Sequence, residues 1–121
     1  MKKVLLVEDD PFLIDIYSTK LGESGFEVHL AKDGGAVLDF SKKIKPDIII
    51  LDIVLPHIDG WQILKQLRVE EGLKHTKIII LSNLSQKEEV EKGLSLGADK
   101  YLIKSDYTPT QVIDEINKVS H

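Results

Sequence analysis

Three acids stand side by side, Glu8, Asp9 and Asp10, and another, Asp52, closes the apolar run "PDIIIL". Ser82 and Asn83 follow "KIIIL", and Lys104 follows "KYLI". Ionised carboxylates are costly to bury without a partner, so an acid at the end of a buried run calls for a cation. Two carboxylates about 5 Å apart, at an effective dielectric near 20, repel by roughly 3 kcal/mol before solvent screening. A hard divalent cation such as Mg²⁺ relieves that repulsion, because it takes oxygen ligands and keeps several waters. Lys104 can neutralise part of the charge without metal and can bind phosphate oxygens when phosphate is present. Ser82 offers a hydroxyl to the same oxygens. Acids, metal, lysine and hydroxyl together suit phosphoryl transfer, in which a protein mainly positions groups and offsets charge. Carboxylates can themselves accept the phosphoryl group.

These residues serve one site only if the fold gathers them. Five apolar runs punctuate the chain: "KVLLV" (3–7), "FEVHLA" (26–31), "DIIIL" (47–51), "KIIIL" (77–81) and "KYLI" (100–103). Three are continuous and rich in β-branched residues, as strands covered on both faces are. Helix signals lie between them. Asp10–Pro11 reads as N-cap and first helical residue, with Leu13, Ile14, Tyr17 and Leu21 at core spacing and Gly25 as the stop. Asp33 starts a second helix that offers Val37, Leu38 and Phe40 for burial. Asp59–Gln62, Ser85–Glu88 and Thr108–Gln111 have the spacing of capping boxes.

Five strand–helix repeats imply a parallel sheet with helices on both faces. They are too few for a closed barrel, so the expectation is an open, doubly wound α/β sheet. Ligands bind such sheets beyond the carboxyl ends of the strands, where strand order reverses. Glu8, Asp9, Asp52, Ser82, Asn83 and Lys104 all fall on that edge. If the strand order is 2-1-3-4-5, the first and third strands are neighbours and their acids converge.

The chain has 121 residues, expected to form one domain over 1–121, with 20 acids against 16 bases and a formal charge of -4. Arg68 is the sole arginine. Both features argue against direct nucleic-acid binding and bidentate phosphate recognition. Without cysteine, thiolate metal sites are excluded. No run reaches membrane-spanning length, so no membrane partner is expected.

The pieces "VLLVEDD", "PDIIILDIVLPHIDG", "IIILS" and "GADKYLIK" appear in the order and at the intervals of one family. From end to end the chain resembles the response-regulator receiver domain of bacterial two-component signalling. The resemblance implies a flavodoxin-like (βα)5 fold and a cytoplasmic phosphorylation switch. Asp52 would accept a phosphoryl group from a histidine kinase or histidine phosphotransfer protein. Asp9 would bind Mg²⁺ directly (Mn²⁺ can substitute), Glu8 mainly through water, and the Val54 carbonyl would complete the protein ligands. Ser82 would hydrogen-bond the phosphoryl group and Lys104 would pair with it. Tyr101 would be the aromatic switch, on a partner-binding face made by helix four, strand five and helix five. Such a domain catalyses its own phosphorylation and slow dephosphorylation without being a turnover enzyme, and activation can drive dimerisation.

Simpler readings compete. Asp10 and Asp59 are explained as helix caps. A tyrosine at a strand end, such as Tyr101, is often core with a wet hydroxyl. His29, His57, His75 and His121 show no ligand spacing. Two departures from the family stand out. Ser105 occupies the position after the lysine, where the family carries proline behind a cis bond, so the Lys104–Ser105 peptide is either trans with a rearranged loop or a strained cis bond. Asn83 replaces a small residue at the entrance. Val54 and Leu84 stand where the family tunes hydrolysis, and neither can orient a water, so a long-lived phosphoryl group is expected. The rival functions are a degenerate receiver that binds partners without phosphorylation, an aspartyl phosphatase, and a nucleotide or flavin carrier. A phosphatase would want an acid at Val54, and a carrier a glycine-rich loop where the three acids stand.

Overall fold

The computed structural model describes residues 1–56 and 58–120, so two of the four histidines, His57 and His121, lie outside the described residues. The apolar runs become the long strands β1 (Lys3–Val7), β2 (Glu27–Ala31) and β3 (Ile48–Leu51). A short antiparallel ribbon follows, β4 (Val54–Leu55) and β5 (Ile58–Asp59), and then the long strands β6 (Lys77–Ser82) and β7 (Lys100–Ile103). Helices α1 (Pro11–Glu23), α2 (Val37–Ile44), α3 (Gly60–Val69), α4 (Lys87–Ser95) and α5 (Pro109–Ser120) alternate with the long strands. The long strands pair in parallel in the order β2-β1-β3-β6-β7. Counting long strands alone, this is the expected 2-1-3-4-5 order. The expected α/β doubly wound sheet is the observed one.

Adjacent residues of a strand point to opposite faces, and here both faces are covered. Leu5, Val7, Ile49, Leu51, Ile78 and Ile80 pack against Val37 of α2 and Ile63, Leu64 and Leu67 of α3. Val4, Leu6, Ile48, Ile50, Ile79 and Leu81 pack against Tyr17 and Leu21 of α1 and Val112, Ile113 and Ile116 of α5. Double coverage is the reason "IIIL" in β3 shows no polar alternation: all four residues are buried.

The helix starts follow the sequence signals with three adjustments, the first at α3, where Asp59 accepts from the Trp61 amide and, among the described residues, no bond with Gln62 closes the expected box. Asp10 caps α1 by accepting from the Phe12 and Leu13 amides, and Thr108 and Gln111 exchange the hydrogen bonds of a capping box. Asp33 opens a 3-10 turn (Gly34–Ala36), and α2 proper starts at Val37. The box at α4 is Gln86–Glu89, one residue beyond the expected Ser85–Glu88. There the Gln86 amide donates to Glu89 Oε1 at 2.9 Å.

Ser41 of α2 is fully buried, and its hydroxyl finds no hydrogen-bond partner among the described residues. An unpaired buried hydroxyl costs about 1–3 kcal/mol, and alanine is the better helix former. Ser41→Ala is therefore expected to raise unfolding free energy by about 1 kcal/mol, read as a higher denaturant midpoint at unchanged slope. A lower midpoint would show that the hydroxyl is satisfied.

Candidate functional site

The sheet's own hydrogen bonding brings the acids together. One step past β1, the Glu8 amide donates to the Ala31 carbonyl (3.2 Å). One step past β3, the Asp52 amide donates to the Val7 carbonyl (3.1 Å). Glu8 and Asp52 are thus held beside each other at the reversal of strand order, both buried, with exposed Asp9 next to them. One carboxylate oxygen from each of Glu8, Asp9 and Asp52 lies within 4.8 Å of the others.

Lys104 stands between the two buried acids. Its Nζ is 2.7 Å from Glu8 Oε1 and 2.8 Å from Asp52 Oδ2. The other Glu8 oxygen, Oε2, accepts from the amides of Asp9 (3.1 Å) and Asp10 (3.2 Å). Asp52 Oδ1 accepts from the Val54 amide at 3.0 Å. Burial nonetheless pushes the Glu8 carboxyl above the ordinary carboxylate range, outweighing the Lys104 hydrogen bond. For Lys104 burial alone would lower the pKa, but hydrogen bonds to Asp52 and Glu8 raise it overall.

Lys104 reaches this position from a 3-10 turn (Lys104–Asp106). Every peptide bond among the described residues is trans, so of the two expected forms of Lys104–Ser105 the trans bond is present, and the turn alone delivers the lysine.

Glu8, Asp9, Asp52, Val54, Asn83 and Lys104 line one open cleft of about 470 Å³, with Pro11 and Leu13 of α1 on its rim. Ser82 is not among the lining residues: it is fully buried at the end of β6, its Oγ accepting from the Leu84 amide (3.3 Å). A hydroxyl that accepts there keeps its proton free to donate. The Leu84 carbonyl in turn accepts from the Tyr101 hydroxyl at 2.7 Å. Tyr101 is half-buried, and burial, then the nearby Glu89 charge, pushes its phenol up. Ser82 and Tyr101 therefore grip the same residue from both sides.

Two features of the site are missing from the sequence reading. Val54 pairs with Asp59 and Leu55 with Ile58, folding the loop after Asp52 back on itself. Gly60 closes it, because a Cβ there would stand 2.3 Å from the Ile53 carbonyl oxygen. Tyr17 reads from spacing as core, and it is core, with burial, and after it the charges of Lys104, Glu8 and Asp52, moving its phenol upward overall. A core-spaced tyrosine in place of an aliphatic residue was the available hint.

The donors fit a hard divalent cation: all are oxygens, they carry excess negative charge, and one side is open to water. No helix among the described residues is long and apolar enough to cross a membrane.

The family model described as "Response regulator receiver domain" matches residues 4–117. Among curated proteins, the chain is 37% identical to the alkaline phosphatase synthesis transcriptional regulatory protein PhoP of Bacillus subtilis, over 92% of this chain and 45% of that protein. The chain spans about half the length of the curated relatives it matches. Among solved structures, the chemotaxis protein CheY4 of Vibrio cholerae superimposes with a TM-score of 0.89 at 30% identity, covering 98% of each chain. The Mn²⁺-bound form of response regulator Rcp1 gives 0.79 at 25% identity, over 99% of this chain and 89% of that one.

Proposed function

The chain belongs to the response regulator receiver domain family, and on that premise we propose that it is a phosphorylation switch whose acceptor is Asp52. The observation that carries this reading is the pairing of one buried carboxylate, Asp52, with a lysine and two further acids at a single open cleft. An Asp52 oxygen attacks the phosphorus of a phosphohistidine on a kinase or phosphotransfer protein. The new P–O bond forms as the P–N bond breaks, and the imidazole leaves with its electron pair. Lys104 turns from the free carboxylate to the phosphoryl oxygens, and the Ser82 hydroxyl donates to another of them.

Mg²⁺, when bound, offsets the charge of the acids and of the transferring group. Asp9, the acid left unengaged, would hold it directly. Glu8, whose oxygens already serve two amides and Lys104, would act through water. The Val54 carbonyl would supply the remaining protein ligand. Mn²⁺ would substitute, in keeping with the Mn²⁺-bound neighbour.

The proposed output is a change in affinity for a protein partner, in a cytoplasmic setting, at the face of α4, β7 and α5. There Lys100 and Lys118 pair with Glu115 and hold its carboxyl at about 2. Redirection of the Ser82 hydroxyl would loosen Leu84 and with it Tyr101. Apolar Val54 and Leu84 cannot orient a water, so the acyl phosphate is proposed to be long-lived, and exposed Asn83 to set which donors enter.

The test is intact-mass spectrometry after incubation with acetyl phosphate and Mg²⁺, beside a chelated control. One phosphoryl adduct, absent without metal, is expected. No adduct in either sample would overturn the switch and favour a phosphorylation-independent binding module.

A further inference from the structure

Helix α4 rests on two aromatic rings. Lys92 Nζ stands 4.6 Å from the centroid of the Trp61 ring. One residue on, a Cβ at Gly93 would lie 2.9 Å from Tyr101 Cδ2 and 2.6 Å from Ile80 Cδ1. The helix backbone thus sits directly on Tyr101, and Gly93 is its one buried residue. With that one residue buried, these contacts and the Ile80 contact are what seat α4 on the sheet.

The Trp61 seat is joined to the acceptor by a short chain of contacts. Asp52 Oδ1 accepts from the Val54 amide. Val54 pairs with Asp59 across the ribbon, and Asp59 accepts from the Trp61 amide at 3.0 Å. Gly60 lies so close to Ile53 that a Cβ there would stand 2.3 Å from the Ile53 carbonyl oxygen. This route shares no residue with the contacts of Ser82, Leu84 and Tyr101.

We propose that Lys92 on Trp61 is a second latch between the acceptor loop and α4, one that holds the helix in its unphosphorylated position. The inference rests on the switch reading, because a latch matters only if α4 has two positions. A contact made in one of two states biases their equilibrium by its own free energy, and by linkage it weakens any ligand that selects the other state by the same factor. A cation at this distance over a tryptophan face at a largely exposed site implies a factor of about two to five.

Beryllofluoride with saturating Mg²⁺ serves as the phosphoryl mimic, titrated by calorimetry into the wild-type chain and three variants. Lys92→Met keeps the apolar stem without the charge, and Lys92→Arg keeps a cation over the ring. Lys87→Met, on the same helix with its side chain 84% exposed, makes the same change in net charge away from Trp61. Lys92→Met is expected to bind the mimic about two- to five-fold more tightly, with Lys92→Arg and Lys87→Met within error of wild type. Saturation should shift Trp61 emission more in the wild type than in Lys92→Met, where only the loop contacts remain. Equal affinity in Lys92→Met and wild type, or an equal gain in Lys87→Met, would overturn the latch while leaving the switch intact. Absence of binding by the wild type would defeat the switch reading, and the latch with it.

Discussion

Asp52→Asn is expected to take up no phosphoryl group from acetyl phosphate at any Mg²⁺ concentration, in a protein that folds as the wild type does. The first half follows from chemistry: an amide oxygen is too weak a nucleophile to displace the donor, and no other side chain has the geometry of Asp52. Asp9 is exposed, and Glu8 is committed to two backbone amides and Lys104. The second half follows from what the substitution preserves. Asparagine keeps an Oδ1 that accepts from the Val54 amide, and although its NH2 replaces the Oδ2 that accepts from Lys104, the lysine keeps its pair with Glu8. Replacing one of three clustered acids also relieves repulsion, so the denaturant midpoint in metal-free buffer should hold or rise. Intact mass and denaturation of one preparation read both halves. An adduct that persists would move the acceptor to another residue, Asp9 first. A lost adduct with a collapsed midpoint would mean that the carboxylate is structural.

Most of this site was legible because it depends on strand ends, and the strand ends were the plainest signal. Short, isoleucine-rich "IIIL" and "KIIIL" read as strands covered on both faces, and an acid or serine directly after such a strand sits at the sheet's carboxyl edge. Parallel pairing then does the gathering: Glu8 and Asp52 meet because their own amides extend the ladder by one step. What the sequence hides are contacts whose partner is backbone or lies far along the chain. Nothing in "SNLSQ" marks the Leu84 carbonyl as the seat of the Tyr101 hydroxyl. The β4–β5 ribbon is too short to have a period, and Asp59 reads only as a helix cap. The α4 cap slipped by one residue because acids stand three residues beyond both Ser85 and Gln86, and the ordinary preference for serine as cap picks the wrong one. Ser105 posed a genuine alternative, since a chain that lacks the family's proline can place its lysine in two ways.

Lys104→Met is expected to lower unfolding free energy by on the order of 3 kcal/mol at pH 7 in metal-free buffer, and Mg²⁺ should return much of it. Lys104 is nine-tenths buried and makes hydrogen-bonded ion pairs with both Glu8 and Asp52. Removing one partner of a buried pair costs about 3–5 kcal/mol because the other charge is left unpaired, and the open cleft beside Asp9 favours the low end. The pH dependence separates this from lost packing. In the wild type the Lys104 pKa is raised above its unfolded value, so its contribution is fully present below about 10.5 and is lost as pH rises through the folded value. Glu8 also has a raised pKa, so the folded state binds its proton more readily, and stability from this group falls as pH rises through the carboxylate range. Without Lys104 the Glu8 carboxyl should rise further, so the variant's deficit should shrink as pH falls from 7 towards 5. Lost methylene contacts would instead give a deficit that does not change with pH and does not respond to Mg²⁺. The double variant Lys104→Met with Asp52→Asn, one acid lighter, should recover part of the loss even without metal. Failure of both Mg²⁺ and the second substitution to restore stability would show that Lys104 holds the β7–α5 turn in place and is not the cation that lets two carboxylates share one cleft.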